Sequence, residues 1–414
     1  MTTTTHPNVT TINTKIPGTD RACSINSNGR SIIITGINGS GKTQLLKKIY
    51  NICEQLIGGE ESIIYLQSQV NHLQSYLNLN SPFGSNHDSH VAALEHAKER
   101  LENLTHSPVL ISEKERFAAD YKKGMAVLVF FEATRQANFI EASSATSKEK
   151  IIQQSSSNSD ASSYFENYLV SQITLQAYAE SPNIGNDPES AKSIELWFEK
   201  LETDFKSLFE DPTLQIRFDS NKQCFFICQD LKKPYRLQNL SSGFSSLLVI
   251  YANLIMKVEL RNILPSEIYG LVFIDEIDAH LHVSLQRKIL SFLMQSFPKI
   301  QFIITTHSPF VVSSVSNAVI YDISTLEQTD DLSMYSYESI LKGLFDTPPI
   351  SQIVTDKVER LFDILEDSSP NFDELQEILK IVSAHESELD SESAMHIKRA
   401  RILLNRSKTG DVDV

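Results

Sequence analysis

Eight consecutive residues, Gly36, Ile37, Asn38, Gly39, Ser40, Gly41, Lys42 and Thr43, satisfy the spacing G-x-x-x-x-G-K-[ST]. Glycines at this spacing let backbone N–H groups turn inward around phosphates at the start of a helix. Lys42 is then expected to reach the β- and γ-phosphates of ATP, and the Thr43 hydroxyl to ligate Mg²⁺. The metal needs a carboxylate as well. Leu271, Val272, Phe273 and Ile274 run directly into Asp275 and Glu276. Asp275 at the end of that apolar strand is expected to hold the Mg²⁺ shell, and Glu276 to polarise the attacking water as general base.

Three further segments carry chemistry. Leu240, Ser241, Ser242 and Gly243 precede a helical pattern; Asp278, Ala279, His280, Leu281 and His282 follow the Asp-Glu pair; Thr305, Thr306, His307, Ser308 and Pro309 close another strand. A helix N-terminus at Ser242 offers amide donors to an anion, and a neutral His307 imidazole at a strand end can donate to a transferring phosphoryl group. His280 and His282 are explained equally well by the packing of a helix start. Cys224 and Cys228, four apart among Phe225, Phe226 and Ile227, fit small hydrophobes on a strand better than metal ligands.

The elements that must position these residues follow from periodicity. Ser31 to Thr35 reads as a strand, and Leu45, Leu46, Ile49 and Ile52 place a helix directly after the glycine loop. Leu66, Val70, Leu73 and Leu77, then Val91, Leu94, Leu101 and Leu104, predict a helical hairpin. Ala126 to Phe131 reads as a buried strand and the Ser-rich stretch 143–163 as a flexible loop. Helices are expected over Tyr164 to Tyr178 and from Asp187 and Pro188 through Leu208, then a β-hairpin across Asp219 to Asn221, then a helix from Ser242 to Val258. Strands at Leu271 to Ile274 and Gln301 to Thr305 flank a helix through Leu285, Ile289, Phe292 and Leu293. That alternation predicts an α/β fold with a mostly parallel sheet. The expected division is 1–60 and 211–321 for the two parts of a head, 61–210 for a helical insertion carrying one head strand near 126–135, and 322–414 for an acidic helical tail.

The composition suits such a protein. The chain has 414 residues, 41% hydrophobic and 21% charged, which excludes wholesale disorder and fibrous repeats. Its net charge of −15 is uneven: residues 322–414 contribute 20 acidic and 9 basic side chains, or −11, leaving −4 for the rest. A nearly balanced body can present a basic groove to nucleic acid, with Lys98 and Arg100, Lys122 and Lys123, or Lys232, Lys233 and Arg236 as candidate clusters; the tail suits protein contacts. Four scattered cysteines suit a reducing cytosol, and with no apolar run near 20 residues a cytoplasmic protein without a membrane partner is expected.

The motifs and their order resemble the ABC-type ATPase heads of the structural-maintenance-of-chromosomes, Rad50, RecF and OLD group. The resemblance covers Ser31 to Asn51 and about Leu237 to Val315. It implies a P-loop NTPase fold in which Ser241, Ser242 and Gly243 contact the γ-phosphate of ATP on the opposite subunit, Asp278 and Ala279 face the dimer, and His307 is the switch histidine. Phe244 departs from the Glu or Gln usual in that signature. The glutamine-loop residue is open, among Gln136, Gln67 and Gln69. The compact head, short hairpin and helical tail look similar to ATPases of bacterial anti-phage systems, of the Septu and retron-associated type or the PARIS type. This implies an ATPase with ATP and Mg²⁺ as cofactors, dimerising through ATP-sandwiched heads and controlling a separate effector such as a nuclease. The alternatives are a RecF-like DNA-repair ATPase and a nucleotide-gated scaffold with little turnover. A C-terminal Toprim nuclease, as in the OLD proteins, is not expected, since the tail shows no strand-borne carboxylate set. A small-molecule kinase gains nothing from Glu276 or from the segment 305–309, and the inserted helices argue against a transporter subunit.

Overall fold

The computed structural model describes residues 6–58, 63–79, 87–105, 107–135, 137–142, 144–156, 161–261, 265–335, 337–345, 352–367, 370–384, 389 and 391–409. Two compact units meet in sequence at Tyr335 and Ser336.

The first unit opens with β1 (Val9–Lys15) and β2 (Ala22–Asn26), an antiparallel pair in register from Thr11 opposite Asn26 to Lys15 opposite Ala22. In β3 (Ser31–Thr35) the three isoleucines leave no polar face, and all are buried, as a strand covered on both sides requires. Helix α1 (Lys42–Gly58) turns Leu45, Leu46, Ile49, Cys53 and Ile57 into the core that β3 shares. Helices α2 (Ile63–Leu79) and α3 (His87–Thr105) form the expected hairpin around a small core of their own, Val70, Leu94 and Ala97. β4 (Val109–Ile111) then pairs with β1, giving a three-stranded sheet of order β2-β1-β4.

After α4 (Lys114–Lys122) and β5 (Ala126–Phe131), the Ser-rich stretch departs from expectation. Lys148–Ser156 is a helix, α5, with Ile151 fully buried, and Ala161–Tyr164 is a single 3₁₀ turn. Serine abundance described the exposed side and missed the anchor. Helices α6 (Phe165–Glu180) and α7 (Pro188–Phe209) follow, the latter capped by Asp187, whose Oδ1 accepts from the Ser190 amide at 3.1 Å. The hairpin β6 (Gln215–Asp219) and β7 (Cys224–Cys228) leads to α8 (Ser242–Glu259), and β8 (Tyr269–Ile274) enters the main sheet. The helix expected through Leu285 and Leu293 is broken at Arg287 and Lys288 into α9 (Val283–Gln286) and α10 (Ile289–Ser296). β9 (Lys299–Thr305), α11 (Pro309–Val312), β10 (Ala318–Asp322) and β11 (Glu327–Asp330) complete the unit.

The main sheet has order β11-β10-β3-β9-β8-β5, parallel throughout except for the β10–β11 pair. This order brings the carboxyl ends of β3, β9 and β8 side by side, although β3 (Ser31–Thr35) lies far upstream of β8 and β9 in the chain. A crevice at the carboxyl ends of parallel strands is where such sheets bind ligands. The sheet also runs past Asp322, where the tail was expected to begin: β11 pairs with β10, and the first unit ends at Tyr335.

The second unit contains α12 (Tyr337–Phe345), α13 (Gln352–Glu366), α14 (Phe372–Val382) and α15 (Ser391–Thr409). Val358, Leu361, Leu375, Ile378, Val382, Ile397 and Ala400 make one buried cluster across the last three helices.

Candidate functional site

The turn from β3 into α1 uses three glycines in the left-handed region, Gly36 at φ 137°, Gly39 at 77° and Gly41 at 97°. At Gly36 the requirement is also steric, since a Cβ there would sit 2.7 Å from Ser324 Oγ and 2.8 Å from Ile323 Cγ2. The same Ser324 hydroxyl accepts from the Ile37 amide at 3.0 Å, and Arg21 Nη2 fastens the Ile323 and Ser324 carbonyls at 2.7 and 2.6 Å. The loop is therefore braced by the turn after β10. Asn38 and Gly39 are exposed, and the Ser40 Oγ is buried without a partner among the described residues. Lys42 folds back over the loop, its ammonium donating to the Gly36 and Ile37 carbonyls at 2.9 Å each. Burial pushes this ammonium below its ordinary pKa, against the opposing pull of Glu276 and Asp275.

Beside Lys42, the Thr43 hydroxyl donates to Asp275 Oδ1 at 3.0 Å, joining two motifs 232 residues apart. Asp275 is 2% exposed, and the same oxygen accepts from Thr305 Oγ1 at 2.6 Å. The Thr305 hydroxyl in turn accepts from the Glu276 amide at 2.7 Å. Glu276 is half-buried and sits at φ 43°, a left-handed conformation that costs a non-glycine residue on the order of 1–2 kcal/mol. Thr306 Oγ1 donates to Asp278 Oδ1 at 2.5 Å, tying the turn after β8 to the end of β9. His307, next in the chain, is pushed below the ordinary imidazole pKa by burial and then by the Lys42 charge, so it is neutral at physiological pH. Lys42, Thr43, Asp275 and Glu276 thus form one cluster with His307.

Two contributors escaped the sequence reading. Thr305 was noted only as part of the segment 305–309; its hydroxyl is the hinge between Asp275 and Glu276. Arg135 carried no motif at all. It is 8% exposed, and its guanidinium donates to the Glu132 and Asp275 carbonyls at 2.8 and 2.7 Å, to the Glu276 carbonyl at 3.0 Å and to Ser246 Oγ at 2.8 Å. Only its place after an apolar strand could have raised attention.

Ser241, Ser242 and Gly243 lie elsewhere. Ser241 and Ser242 are exposed at the N-terminus of α8, and with Gly243 they line a pocket of about 350 Å³ shared with Glu210, Phe244, His280 and His282. Gly243 is needed for space: a Cβ would stand 2.6 Å from the His280 carbonyl oxygen. Phe244, the departure from the usual signature, stacks flat on Phe209 with ring centroids 4.3 Å apart. His282 starts α9, with Nδ1 3.4 Å from the Ser284 amide.

The remaining candidates divide. Gln136 lies outside the described residues, and Gln67 and Gln69 are on α2. Arg236 is not available to nucleic acid: it is bonded to the fully buried Glu166 at 3.2 Å and to Glu141 at 2.8 Å. Lys122, Lys123, Lys232 and Lys233 are exposed, as is Lys98, while the Arg100 side chain lies outside the described residues. No helix among the described residues is long and apolar enough to cross a membrane.

A glycine-rich turn at the carboxyl end of a parallel sheet, with the Lys-Thr and Asp-Glu pairs converging on it, defines an α/β P-loop NTPase fold. The family described as "AAA domain, putative AbiEii toxin, Type IV TA system" matches residues 55–313, more than half of the chain, and the chain belongs to that family. The match takes in Ser241, Ser242, Gly243, Asp275, Glu276 and the segment 305–309 but begins after Gly36–Thr43. Among similar proteins, the Septu protein PtuA of Bacillus mycoides is 29% identical over 199 residues, 44% of this chain and 26% of that protein. The Retron Vc95 probable ATPase of Vibrio cholerae is 40% identical over 94 residues, 22% of this chain and 18% of that one. The matched region thus spans about a quarter or less of these relatives. A solved SMC head bound to the C-winged helix domain of ScpA aligns at a TM-score of 0.39 and 13% identity, over 78% of this chain and 96% of that chain.

Proposed function

We propose that this chain is an ATP-hydrolysing switch whose two copies close head to head over two ATP molecules. The contact of Thr43 with Asp275 carries the reading. It places a P-loop hydroxyl and a strand-end carboxylate 3.0 Å apart beside the anion cradle. Mg²⁺ takes one or two protein oxygens and completes its shell with phosphate oxygens and water, so this donor pair fits the ion. Thr43 and Asp275 would hold the ion, which would supply neutralisation of the phosphate charge.

The chain's own residues would do the rest. The amides of Gly36, Asn38, Gly39, Ser40 and Gly41 would cradle the phosphates. Lys42 would exchange the Gly36 and Ile37 carbonyls for phosphate oxygens. Glu276 would take a proton from the attacking water, and neutral His307 would donate to the transferring phosphoryl group. Ser241, Ser242 and Gly243, set apart from the P-loop within one copy, would complete the site of the other. The Septu and retron relatives support placing the switch in bacterial anti-phage defence, where it would control a separate effector such as a nuclease. Nucleic acid is a candidate trigger. The test is Mg²⁺-dependent phosphate release from ATP by the purified protein. Release that disappears in Lys42→Ala and in Glu276→Gln supports the reading; no release by the unaltered protein, or release unchanged in Glu276→Gln, overturns it.

A further inference from the structure

We infer that Arg135 is a positioning residue that couples the Asp275–Glu276 turn to helix α8, so that a rearrangement at the phosphate site is passed to Ser241, Ser242 and Gly243. The inference rests on the proposed nucleotide site and deepens it. One planar guanidinium holds both peptide carbonyls of the catalytic pair, Asp275 at 2.7 Å and Glu276 at 3.0 Å, while its Nε donates to Ser246 Oγ at 2.8 Å. Ser246 is buried and lies one helical turn beyond Ser242, on the same side of α8. Any displacement of Ser246 therefore carries the first turn of the helix with it.

Space-filling alone does not account for this residue. Burying a cation is costly, and an apolar side chain of similar size would fill the volume without that cost. Among the described residues the guanidinium's partners are three carbonyls and one hydroxyl rather than a carboxylate. Burial lowers its pKa to about 10, which still leaves it charged at neutral pH. What the guanidinium adds is a fork of donors with fixed angles, which fits two consecutive carbonyls and a third partner at once. One of those carbonyls belongs to Glu276, at φ 43°, so Arg135 and Thr305 together hold a strained residue by its C=O and its N–H. A strained turn held at both its C=O and its N–H shifts together with the groups that hold it, which is how a local change is passed on.

The test uses the full chain and three variants, Arg135→Lys, Arg135→Met and Ser246→Ala. Affinity for a slowly hydrolysed ATP analogue, deuterium uptake in residues 240–247 with and without that analogue, and the kinetics of phosphate release are measured together. In the unaltered protein the analogue should change uptake in 240–247. In Ser246→Ala and Arg135→Met, affinity should stay within about threefold while that change is lost, and kcat should fall on the order of 10–100-fold with KM nearly constant. Arg135→Lys, which keeps the charge but not the fork, should recover little of it. Ser246→Ala leaves the three carbonyl bonds intact, so it decides the matter if Arg135→Met does not fold. Variants that keep both the analogue-induced change and kcat overturn the role of Arg135 alone. An unaltered protein that does not bind the analogue overturns the site reading and this inference together. Binding without turnover counts against hydrolysis only, and deuterium uptake then decides the coupling.

Discussion

Thr305 Oγ1 lies 2.6 Å from Asp275 Oδ1, so the end of β9 fixes the carboxylate at the end of the neighbouring β8. The same hydroxyl accepts from the Glu276 backbone N–H, so Thr305 bonds to both acidic residues. Thr305→Val keeps the shape and removes both bonds. Leaving the half-buried Glu276 N–H unpaired should cost on the order of 1 kcal/mol of stability, read as a lower denaturation midpoint. Phosphate release should fall much further than the loss of stability explains. A variant with native stability and native turnover would show that the hydroxyl is incidental.

Lys42→Ala and Glu276→Gln should separate binding from chemistry. Removing Lys42 takes away the ammonium folded over the loop and should abolish ATP binding. Glu276→Gln keeps the size of the side chain, and the backbone N–H at this position still donates to Thr305 Oγ1, so ATP should bind and hydrolysis should stop. Light scattering is the check: the Glu276→Gln protein should double its mass with ATP and Mg²⁺. A mass unchanged by ATP, starting from a monomeric preparation, would remove the head-to-head sandwich.

At the signature, the two natural variants to try are not equivalent. Gly243→Asp drives a Cβ to within 2.6 Å of the His280 carbonyl, so it distorts the turn after β8 as well as blocking any partner. Ser242 is exposed, and Ser242→Arg adds bulk and charge outward. The expected result for Ser242→Arg is ATP affinity within a few-fold of the unaltered protein and phosphate release lowered at least about tenfold. Wild-type turnover in Ser242→Arg would argue that α8 does not meet the nucleotide of a second copy.

These sites were legible because their residue types are demanding. Gly36 to Thr43, Asp275 with Glu276, and His307 announce themselves by spacing, and the βαβ alternation that carries them follows from apolar runs such as Ile32 to Ile34. The sheet of β1, β2 and β4 was missed for a local reason: the register shifts between Val9 and Thr11, so the buried Val9 and Ile12 are three apart and the alternation of a strand is hidden. Arg135 and Thr305 were missed for a tertiary one. Their partners are backbone groups and hydroxyls brought near by strand order, which local sequence does not encode.

The His307 imidazole gives a pH test with a definite sign. Its folded pKa lies below the unfolded 6.5 because burial and Lys42 disfavour the cation. Well above pH 6.5 neither state holds the proton and His307 adds no pH dependence. As pH falls through 6.5 the unfolded chain takes up the proton first, so the folded state loses stability until the folded pKa is passed. His307→Gln removes this loss. The gap in melting temperature between the variant and the unaltered protein should therefore shift in favour of the variant between pH 8 and pH 5.5. An identical gap at both values would place His307 in an environment that does not resist protonation.

Truncation should depend on where the cut falls. Val354, Val358, Leu361, Ile364 and Leu365 on α13 are buried against α14 and α15, with Leu375, Ile378, Ile397 and Ala400 on the other side of the cluster. A chain ending at Asp367 keeps α13 and loses its cover. Exposing five large apolar side chains at roughly 1.5–3 kcal/mol each is a penalty comparable to the stability of a small domain. That protein should aggregate or lose its second unit. A chain ending at Tyr335 removes the whole cluster at the boundary between compact units, keeps β10 and β11 in the main sheet, and keeps Ile323 and Ser324 under the P-loop. It should melt cooperatively and bind ATP with an affinity within a few-fold of the full chain, while any effector held by the acidic unit should be lost. Thermal melts and ATP titration of the two truncations decide this. Loss of ATP binding in the chain ending at Tyr335 would show that the first unit does not hold the nucleotide by itself.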